Sequence, residues 1–263
     1  MWGFFVAVRQ AAKENTDHGK IAMSAPTASP DHLREAAERL EGRAPEEILG
    51  WALATYGTRV ALACSFGGPT GMVLLDLALR LESRLPVFYL DTGLLFPETY
   101  ALVEAASIRY GITPIPVRTA LSVDEQAAAH GPALWSREPD RCCDLRKVRP
   151  QRAFLKDYAA WVTGVRRDQA ATRRATPVLS WDEQGGLAKI APLAGWSERE
   201  VWTYISKHGI PYNPLHDLGY PSIGCTHCTR PIQVGEDMRA GRWAGFGKTE
   251  CGLHRPLERS GGQ

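Results

Sequence analysis

The sequence predicts an α/β fold built on a parallel β-sheet, and three observations support this prediction. Two short apolar runs, 60–64 and 86–90, lack polar alternation, as is typical of strands covered on both faces. Segments with the apolar spacing of helices separate these runs from the strands that follow. A glycine-rich turn over 65–71 comes directly after the first strand. Strands that alternate with helices in this way form βαβ units, in which the strands lie parallel.

Each predicted element has a local signal. Ser29 followed by Pro30 caps a first helix, and a second helix runs from Pro45 to Gly57, a residue type that favours a helix end. Further along, the pattern predicts a helix over 72–81, a helix over 97–110 that ends at Gly111, a strand over 113–117, a helix over 144–158, a strand over 160–163, an extended run over 189–193 and a helix over 197–208.

The chain divides into three predicted parts. Residues 1–28, polar after a brief apolar start, are expected to be a disordered extension, and residues 29–240 form the α/β domain. Residues 241–263 form a mobile C-terminal tail, because they hold too few apolar residues to fold alone. The sequence does not decide between Met1 and Met23 as the start of translation.

Composition narrows the functional class. The 263 residues are 44% hydrophobic and 23% charged, as in an ordinary globular protein, and the net charge of +2 predicts no nucleic-acid partner. No run of about 18 apolar residues occurs, and the apolar start lacks the basic leader of a signal peptide. We therefore expect a cytoplasmic protein without a membrane partner. A homo-oligomer is compatible with the sequence, which does not specify the oligomeric state.

The turn Ser65-Phe-Gly-Gly-Pro-Thr-Gly71 lies between a strand and a helix, which is the arrangement of an anion site. It lacks the Gly-Lys-Ser/Thr ending of a Walker P-loop and is closer to the Ser-Gly-Gly-x-Asp-Ser turn of the PP-loop ATP pyrophosphatases. Pro69 and Thr70 stand where that group has an acidic residue, which favours nucleotide binding without ATP cleavage. A glycine turn required only for packing is the alternative interpretation.

Two pairs of cysteines predict a four-thiolate metal site. Cys142 and Cys143 are adjacent, and Cys225 and Cys228 form a CxxC motif roughly 80 residues later. An adjacent pair is unusual for zinc, whose paired ligands are normally two to four residues apart, so an iron–sulfur cluster is favoured over structural zinc. A CxxC redox motif with two incidental thiols is the remaining alternative.

The last cysteine, Cys251, lies on the tail beside Lys248, His254 and Arg255. Nearby cations favour the reactive thiolate, so Cys251 is a candidate nucleophile, and an incidental tail cysteine is the alternative. Cys64 follows an apolar strand and is expected to be buried and inert.

These motifs together resemble the assimilatory APS/PAPS reductases, in particular the cluster-containing bacterial reductases of adenylyl sulfate (APS). The resemblance covers about residues 45–257. The residues that carry it are Ser65-Phe-Gly-Gly68, Leu90-Asp-Thr-Gly93, Cys142-Cys-Asp-Leu-Arg-Lys147, Thr163-Gly-Val-Arg-Arg-Asp-Gln169, Tyr212-Asn-Pro-Leu-His-Asp217, Gly219-Tyr-Pro-Ser-Ile-Gly-Cys-Thr-His-Cys-Thr-Arg230 and Glu250-Cys-Gly-Leu-His254.

The resemblance implies an adenine-nucleotide α-hydrolase-like (PP-loop) fold and a role for each matching residue. Ser65 and Gly67 would bind the phosphosulfate group of the substrate, and Asp91 and Thr92 would lie at the end of the neighbouring strand. The implied ligands of a 4Fe–4S cluster are Cys142, Cys143, Cys225 and Cys228, and Lys147 would lie between cluster and substrate. Arg166, Arg239 and Arg242 would neutralise the phosphate and sulfate charges, and Cys251 would be the nucleophile.

The implied reaction is reduction of APS to sulfite and AMP through an S-sulfocysteine intermediate, with thioredoxin as the electron donor, in sulfate assimilation and cysteine biosynthesis. A reductase of the 3′-phosphorylated substrate PAPS is the nearest alternative, and the cluster cysteines favour APS. A PP-loop enzyme that thiolates tRNA is disfavoured by the near-neutral charge and the missing acidic residue. A zinc-containing binding module without enzymatic activity is the remaining alternative.

Overall fold

The computed structural model describes residues 30–253, so the predicted extension over 1–28 and the end of the tail lie outside the described residues. Eight α-helices occur in this part of the chain, namely α1 (Pro30–Leu40), α2 (Pro45–Tyr56), α3 (Pro69–Leu81), α4 (Pro97–Tyr110), α5 (Val123–His130), α6 (Pro139–Cys143), α7 (Arg149–Leu155) and α8 (Glu198–His208). The strands are β1 (Val60–Ala63), β2 (Val87–Leu90), β3 (Ile115–Val117), β4 (Ala160–Thr163), β5 (Leu179–Asp182) and β6 (Leu187–Ile190).

The six strands form one sheet in the order β3-β2-β1-β4-β6-β5. All neighbouring strands are parallel except β5, which pairs antiparallel with β6 at the edge. Both faces of the sheet are covered, because Val60 and Leu62 of β1 belong to one apolar core and Ala61 belongs to a second. This confirms the predicted α/β fold with a largely parallel sheet.

The order of the strands determines where a ligand can bind. From β1 the chain moves outward through β2 to β3, and it then returns to the other side of β1 as β4. Ligands of open α/β sheets bind at the carboxyl ends of the strands where the order reverses in this way. The glycine-rich turn follows β1 directly, so it lies at this position.

The structure differs from the prediction in three elements. A single helix was expected over 144–158, but five residues, Asp144–Val148, form a π-helical turn between α6 and α7. Strand β5 was not predicted because only its first residue is buried, as suits an edge strand with little apolar signal. Helix α5 was also missed, although Ser122 and Glu125 form the capping box that could have indicated it.

The described part of the tail, residues 241–253, contains no helix or strand and packs against the domain. Its attachment includes a bridge between Arg242 and Thr229 and the burial of Trp243, which is 3% exposed. In residues 30–253, no helix is both long and apolar enough to cross a membrane.

Candidate active site

The glycine-rich turn after β1 has a backbone that other elements hold in place. Phe66 adopts a left-handed conformation with φ of 51°, which is uncommon for a residue with a side chain. Asn213 donates a hydrogen bond to the Phe66 carbonyl oxygen at 3.3 Å, and His216 Nε2 donates one to the Gly67 carbonyl oxygen at 3.0 Å. A Cβ atom at Gly67 would lie 3.1 Å from the Ile223 carbonyl oxygen, so a larger residue would fit only if this backbone moved away slightly.

A cavity of about 270 Å³ opens beside this turn, at the lower end of the size range of small-molecule sites. It brings together most of the predicted site residues from five separate stretches of the chain. Those that line the cavity are Ser65, Gly67, Lys147, Arg166, Arg239, Arg242 and Cys251.

Asp91 and Thr92, the other two predicted substrate residues, do not line the cavity. The Asp91 carboxylate accepts hydrogen bonds from Tyr100 at 2.7 Å and from Arg118 Nε at 2.7 Å. Thr92 Oγ1 lies 3.3 Å from Cys225 Sγ. In this structure Asp91 therefore orders the end of β2, and Thr92 contacts a predicted cluster ligand.

The cavity arginines differ in how many of their donors are already used. Arg166 is paired with Asp168 at 2.9 Å and also donates to Thr70, the residue at the position of the missing acid. Arg239 and Arg242 each keep a buried Nε that finds no acceptor within the described residues. An unpaired buried donor is costly, so these two atoms are suited to an incoming anion. Burial, reinforced by the neighbouring Arg173, lowers the pKa of Arg239 to about 10.

Trp243 places three cations beside the cavity. Its ring centroid lies 4.5 Å from Arg242 Cζ, 5.8 Å from Arg239 Cζ and 5.1 Å from Lys248 Nζ. Cation–π attraction to the ring offsets part of the mutual repulsion of these groups. The Trp243 ring thus keeps three cationic side chains close together in the region where an anionic substrate would bind.

The four predicted ligand cysteines are free thiols, and three of them are buried while Cys228 is partly exposed. Burial raises the pKa of both Cys142 and Cys228, and the charge of Cys225 raises both further, so these three thiols interact electrostatically. Gln126 Nε2 lies 3.9 Å from Cys142 Sγ as a donor. Iron–sulfur clusters bind to cysteine thiolates whose sulfurs accept hydrogen bonds from donors of this kind.

Cys251 lines the cavity and packs against Cys143 on the side away from it. The Cys143 thiol donates to the Cys251 sulfur, which lowers the pKa of Cys251 and raises that of Cys143. Lys147 and Lys248 add to the lowering at Cys251. Burial alone would lower the pKa of Lys147, but the sulfurs of Cys225, Cys251 and Cys143 raise it, so this lysine stays charged.

Comparison with known proteins identifies the class of this site. The sequence profile of the phosphoadenosine phosphosulfate reductase domain matches residues 59–231, which is more than half of the chain. The chain belongs to this family. The predicted resemblance is thereby confirmed, and with it the assignment to a family of reductases.

Relatives in this reductase family align over most of their length. The chain is 48% identical to an adenosine 5'-phosphosulfate reductase of Salinibacter ruber over 236 residues, covering 89% of this chain and 93% of the relative. It is 47% identical to adenosine 5'-phosphosulfate reductase 1 of Bacillus subtilis over 208 residues, covering 79% and 89%.

Solved structures agree with this membership. The phosphoadenylyl-sulfate (PAPS) reductase of Candida auris, in a phosphate complex, matches with a TM-score of 0.67 at 34% identity, covering 77% of this chain and 98% of that one. Yeast FAD synthetase in complex with FAD matches at 16% identity with a TM-score of 0.53, covering 78% and 70%, which indicates a shared fold alone. The predicted PP-loop type of fold is confirmed.

Two ion pairs that sequence reasoning missed attach the tail of this family member to its domain. Glu250 is paired with Arg173 at 2.7 Å, and Lys248 is paired with Asp140 at 2.6 Å. Both pairs join residues more than 70 positions apart in the chain, so no local pattern could have indicated them.

Proposed function

We propose that this protein reduces adenylyl sulfate to sulfite and AMP, with Cys251 as the nucleophile and thioredoxin as the electron donor. The observation that carries the proposal is the burial of Cys251 in the same cavity as the glycine-rich turn and four arginines. A free nucleophile beside an anion-binding turn is what sulfur transfer from a nucleotide needs. The names of the bacterial relatives support APS as the substrate.

The first half-reaction uses the cavity as it stands. The turn at Ser65 and Gly67 would bind the phosphate and sulfate groups together with Arg239 and Arg242, whose free Nε donors are suited to anionic oxygens. The Cys251 thiolate attacks the sulfur of the substrate, an S–S bond forms, and the bond from sulfur to the phosphate oxygen breaks. AMP leaves with that electron pair, and S-sulfocysteine remains on the enzyme. The arginines offset the charge that develops on the leaving phosphate.

The second half-reaction needs a different position of the tail. Cys251 is only 9% exposed, so a protein partner cannot reach its sulfur while the tail is docked. After the tail opens, a thioredoxin thiolate attacks the Cys251 sulfur and sulfite leaves. A second thioredoxin thiol then resolves the mixed disulfide and restores the Cys251 thiol. Two electrons pass from the thioredoxin dithiol to the sulfate sulfur, and the donor becomes a disulfide.

The residues present fit an iron–sulfur cluster. Cys142, Cys143, Cys225 and Cys228 would hold a 4Fe–4S group, since they are free thiols with neighbouring sulfurs and nearby donors. When bound, the cluster would supply a compact, polarisable charge beside Lys147, which lies at the wall of the cavity. Cys143 as an iron ligand has no proton to donate, so the low pKa of Cys251 would then depend on Lys147, Lys248 and the Leu253 amide.

The Candida auris structure supports PAPS as a second candidate substrate, because that relative is a PAPS reductase with a similar fold. The tRNA-thiolating alternative needs metal-assisted ATP chemistry. In the glycine-rich turn of this chain, Thr70 instead accepts a hydrogen bond from Arg166, which disfavours that alternative. We also propose that the protein acts in the cytoplasm, where thioredoxin is kept reduced.

The deciding experiment is sulfite release by anaerobically purified protein with reduced thioredoxin, with APS and PAPS compared at equal concentrations. We expect release from APS at a rate at least tenfold higher than from PAPS. A preference for PAPS would overturn the substrate assignment but keep the Cys251 chemistry. Release from neither substrate would contradict the proposed function as a whole.

A further inference from the structure

The carboxylate of Glu250, the residue directly before Cys251, is buried in a set of hydrogen bonds that hold it on both oxygens. Arg173 Nε donates to Oε1 at 2.7 Å, and Arg173 Nη2 donates to Oε2 at 2.7 Å. Thr172 Oγ1 donates a third hydrogen bond at 2.9 Å. The side chains of Arg173 and Glu250 are only 12% and 6% exposed, so solvent screens this two-pronged pair weakly.

Arg173 lines the cavity, and three of its five N–H donors are used by acceptors within the described residues. Two of its nitrogens bind Glu250, and Nη1 donates to Gln169 Oε1 at 2.6 Å. Arg239 reaches Glu250 only at 3.4 Å and keeps its buried Nε unpaired among the described residues. Arg173 therefore makes the shorter ion pair with Glu250. Arg239 also donates to the Thr249 carbonyl oxygen of the tail at 3.1 Å, but its Nε stays available to an anion.

We propose that Arg173 and Glu250 form a latch that positions Cys251 in the cavity, and that opening this latch is the step that exposes the cysteine to its protein donor. The inference rests on the proposed function, because it concerns how the nucleophile of that reaction is held. Arg173 and Glu250 are positioning residues, since they act on the substrate only through the place of the neighbouring cysteine.

The physical basis is the cost of a buried charge without its partner. A buried pair that loses one member is destabilised strongly, because the remaining charge stays out of water. The tail avoids this cost by leaving the cavity, because both charged groups are then exposed to water. Loss of either partner therefore shifts the tail toward the open position and takes Cys251 away from the substrate site.

Backbone hydrogen exchange tests the latch without depending on the ionisation of any thiol. In anaerobically purified full-length protein, Glu250→Gln should raise the exchange rates of amides over 246–253 at least about tenfold, because exchange there follows tail opening. The matched control is Glu236→Gln, which removes the carboxylate of the Arg230–Glu236 pair at 2.8 Å outside the cavity. The control should leave the tail rates unchanged. Equal rates in Glu250→Gln and wild type would overturn the latch.

A second pair of variants keeps the test valid if Glu250→Gln proves unstable. Thr172→Val removes a single uncharged donor to Glu250 and should raise tail exchange by a smaller factor. Arg173→Met should raise tail exchange by the same factor as Glu250→Gln. The double variant Arg173→Met/Glu250→Gln should show no further increase, because both changes break the same ion pair. Additive increases from the two single changes would contradict the latch.

The kinetic readout separates positioning from a merely structural role. In Glu250→Gln the rate of S-sulfocysteine formation in a single turnover should fall at least about tenfold. KM for APS should not rise, because loss of the carboxylate leaves the positive charge of Arg173 unpaired in the cavity. A raised KM with an unchanged single-turnover rate would contradict positioning. If wild-type protein releases no sulfite from APS, the proposed function fails, and hydrogen exchange still decides whether the latch exists.

Discussion

Lys248 Nζ lies 2.6 Å from Asp140 Oδ1, so the C-terminal segment is bonded directly to the helix that carries Cys142 and Cys143. The lysine side chain is 3% exposed and also donates to the Pro139 carbonyl oxygen at 3.4 Å. Cys251 and the cysteine pair at 142–143 are thus parts of one packed unit, although more than 100 residues separate them in sequence.

Asp140→Asn should weaken the packing of the tail because it leaves the Lys248 ammonium buried beside a neutral amide. The Asp140 carboxylate is 61% exposed, so the loss is partly screened, and we expect Tm to fall by about 2–4 °C. Glu138→Gln on the same stretch removes an exposed ion pair at 3.4 Å and should change Tm by less than about 1 °C. Equal shifts in the two variants, measured by anaerobic thermal unfolding, would show that the buried lysine does not need its partner.

Cys251→Ser should abolish sulfite release while leaving the rest of the molecule intact. A serine hydroxyl at this position has the size of the thiol but is not ionised near neutral pH, so no S-sulfo intermediate forms. Iron content and the affinity for AMP, measured by calorimetry, should match those of wild type. Sulfite release at the wild-type rate would remove Cys251 from the mechanism.

Cys228→Ser should cause loss of iron and a lower Tm, because metal binding is coupled to folding. The matched control is Cys64→Ala, which removes the buried thiol directly after β1, whose pKa is raised to about 12 by burial. We expect that control to keep its iron and its sulfide. Retention of a full cluster by Cys228→Ser would exclude this cysteine as a ligand, and zinc in place of iron in wild type would favour the structural-zinc alternative.

His216 predicts a pH dependence of stability. Burial lowers the pKa of His216 below its ordinary value of 6.5, despite partial compensation by the Gly67 carbonyl, Asp217 and Glu198. The unfolded chain then binds the proton more readily than the folded one, so the stabilisation is full above about pH 6.5 and is lost as the pH falls through the folded pKa.

Replacement of His216 by glutamine should keep a donor for the Gly67 carbonyl oxygen and remove the titration. The difference in free energy of unfolding between wild type and His216→Gln, measured by anaerobic urea denaturation from pH 8 to 5, should shift against wild type as the pH falls. Other histidines contribute equally to both proteins and cancel in this difference. A difference that does not vary with pH would show that His216 is not held neutral by the fold.

Much of the sheet and of the site was predictable from sequence because the signals are local. The apolar runs at β1 and β2, the proline at the start of α4 and the glycine after it each mark an element without knowledge of its partners. The cysteine pairs and the turn after β1 are likewise recognisable motifs. The turn after β1 and Arg166 after β4 meet in one cavity because the carboxyl ends of parallel strands share an edge of the sheet.

The contacts that complete the site were not predictable, because each joins residues distant in sequence. Arg173 gives no local sign that it binds Glu250 rather than a substrate, and Thr92 gives none that it lies against Cys225. The predicted mobile tail illustrates the same limit. Its low apolar content indicates a segment that cannot fold alone, whereas the ion pairs of Lys248 and Glu250 that dock it depend on the completed domain.

The π-helical turn Asp144–Val148 has a consequence for how this region tolerates change in length. A π-turn contains one residue more than an α-helical turn needs, so deletion of a single residue there would restore a regular α-helix instead of opening a loop. The two flanking helical segments would then rotate by about 100° relative to each other. The cysteine pair at 142–143 and the buried residues of α7 cannot both keep their places under that rotation. This turn therefore sets the angular position of the predicted ligand cysteines relative to the core. Insertions or deletions should be far less acceptable here than in the exposed loop at 183–186.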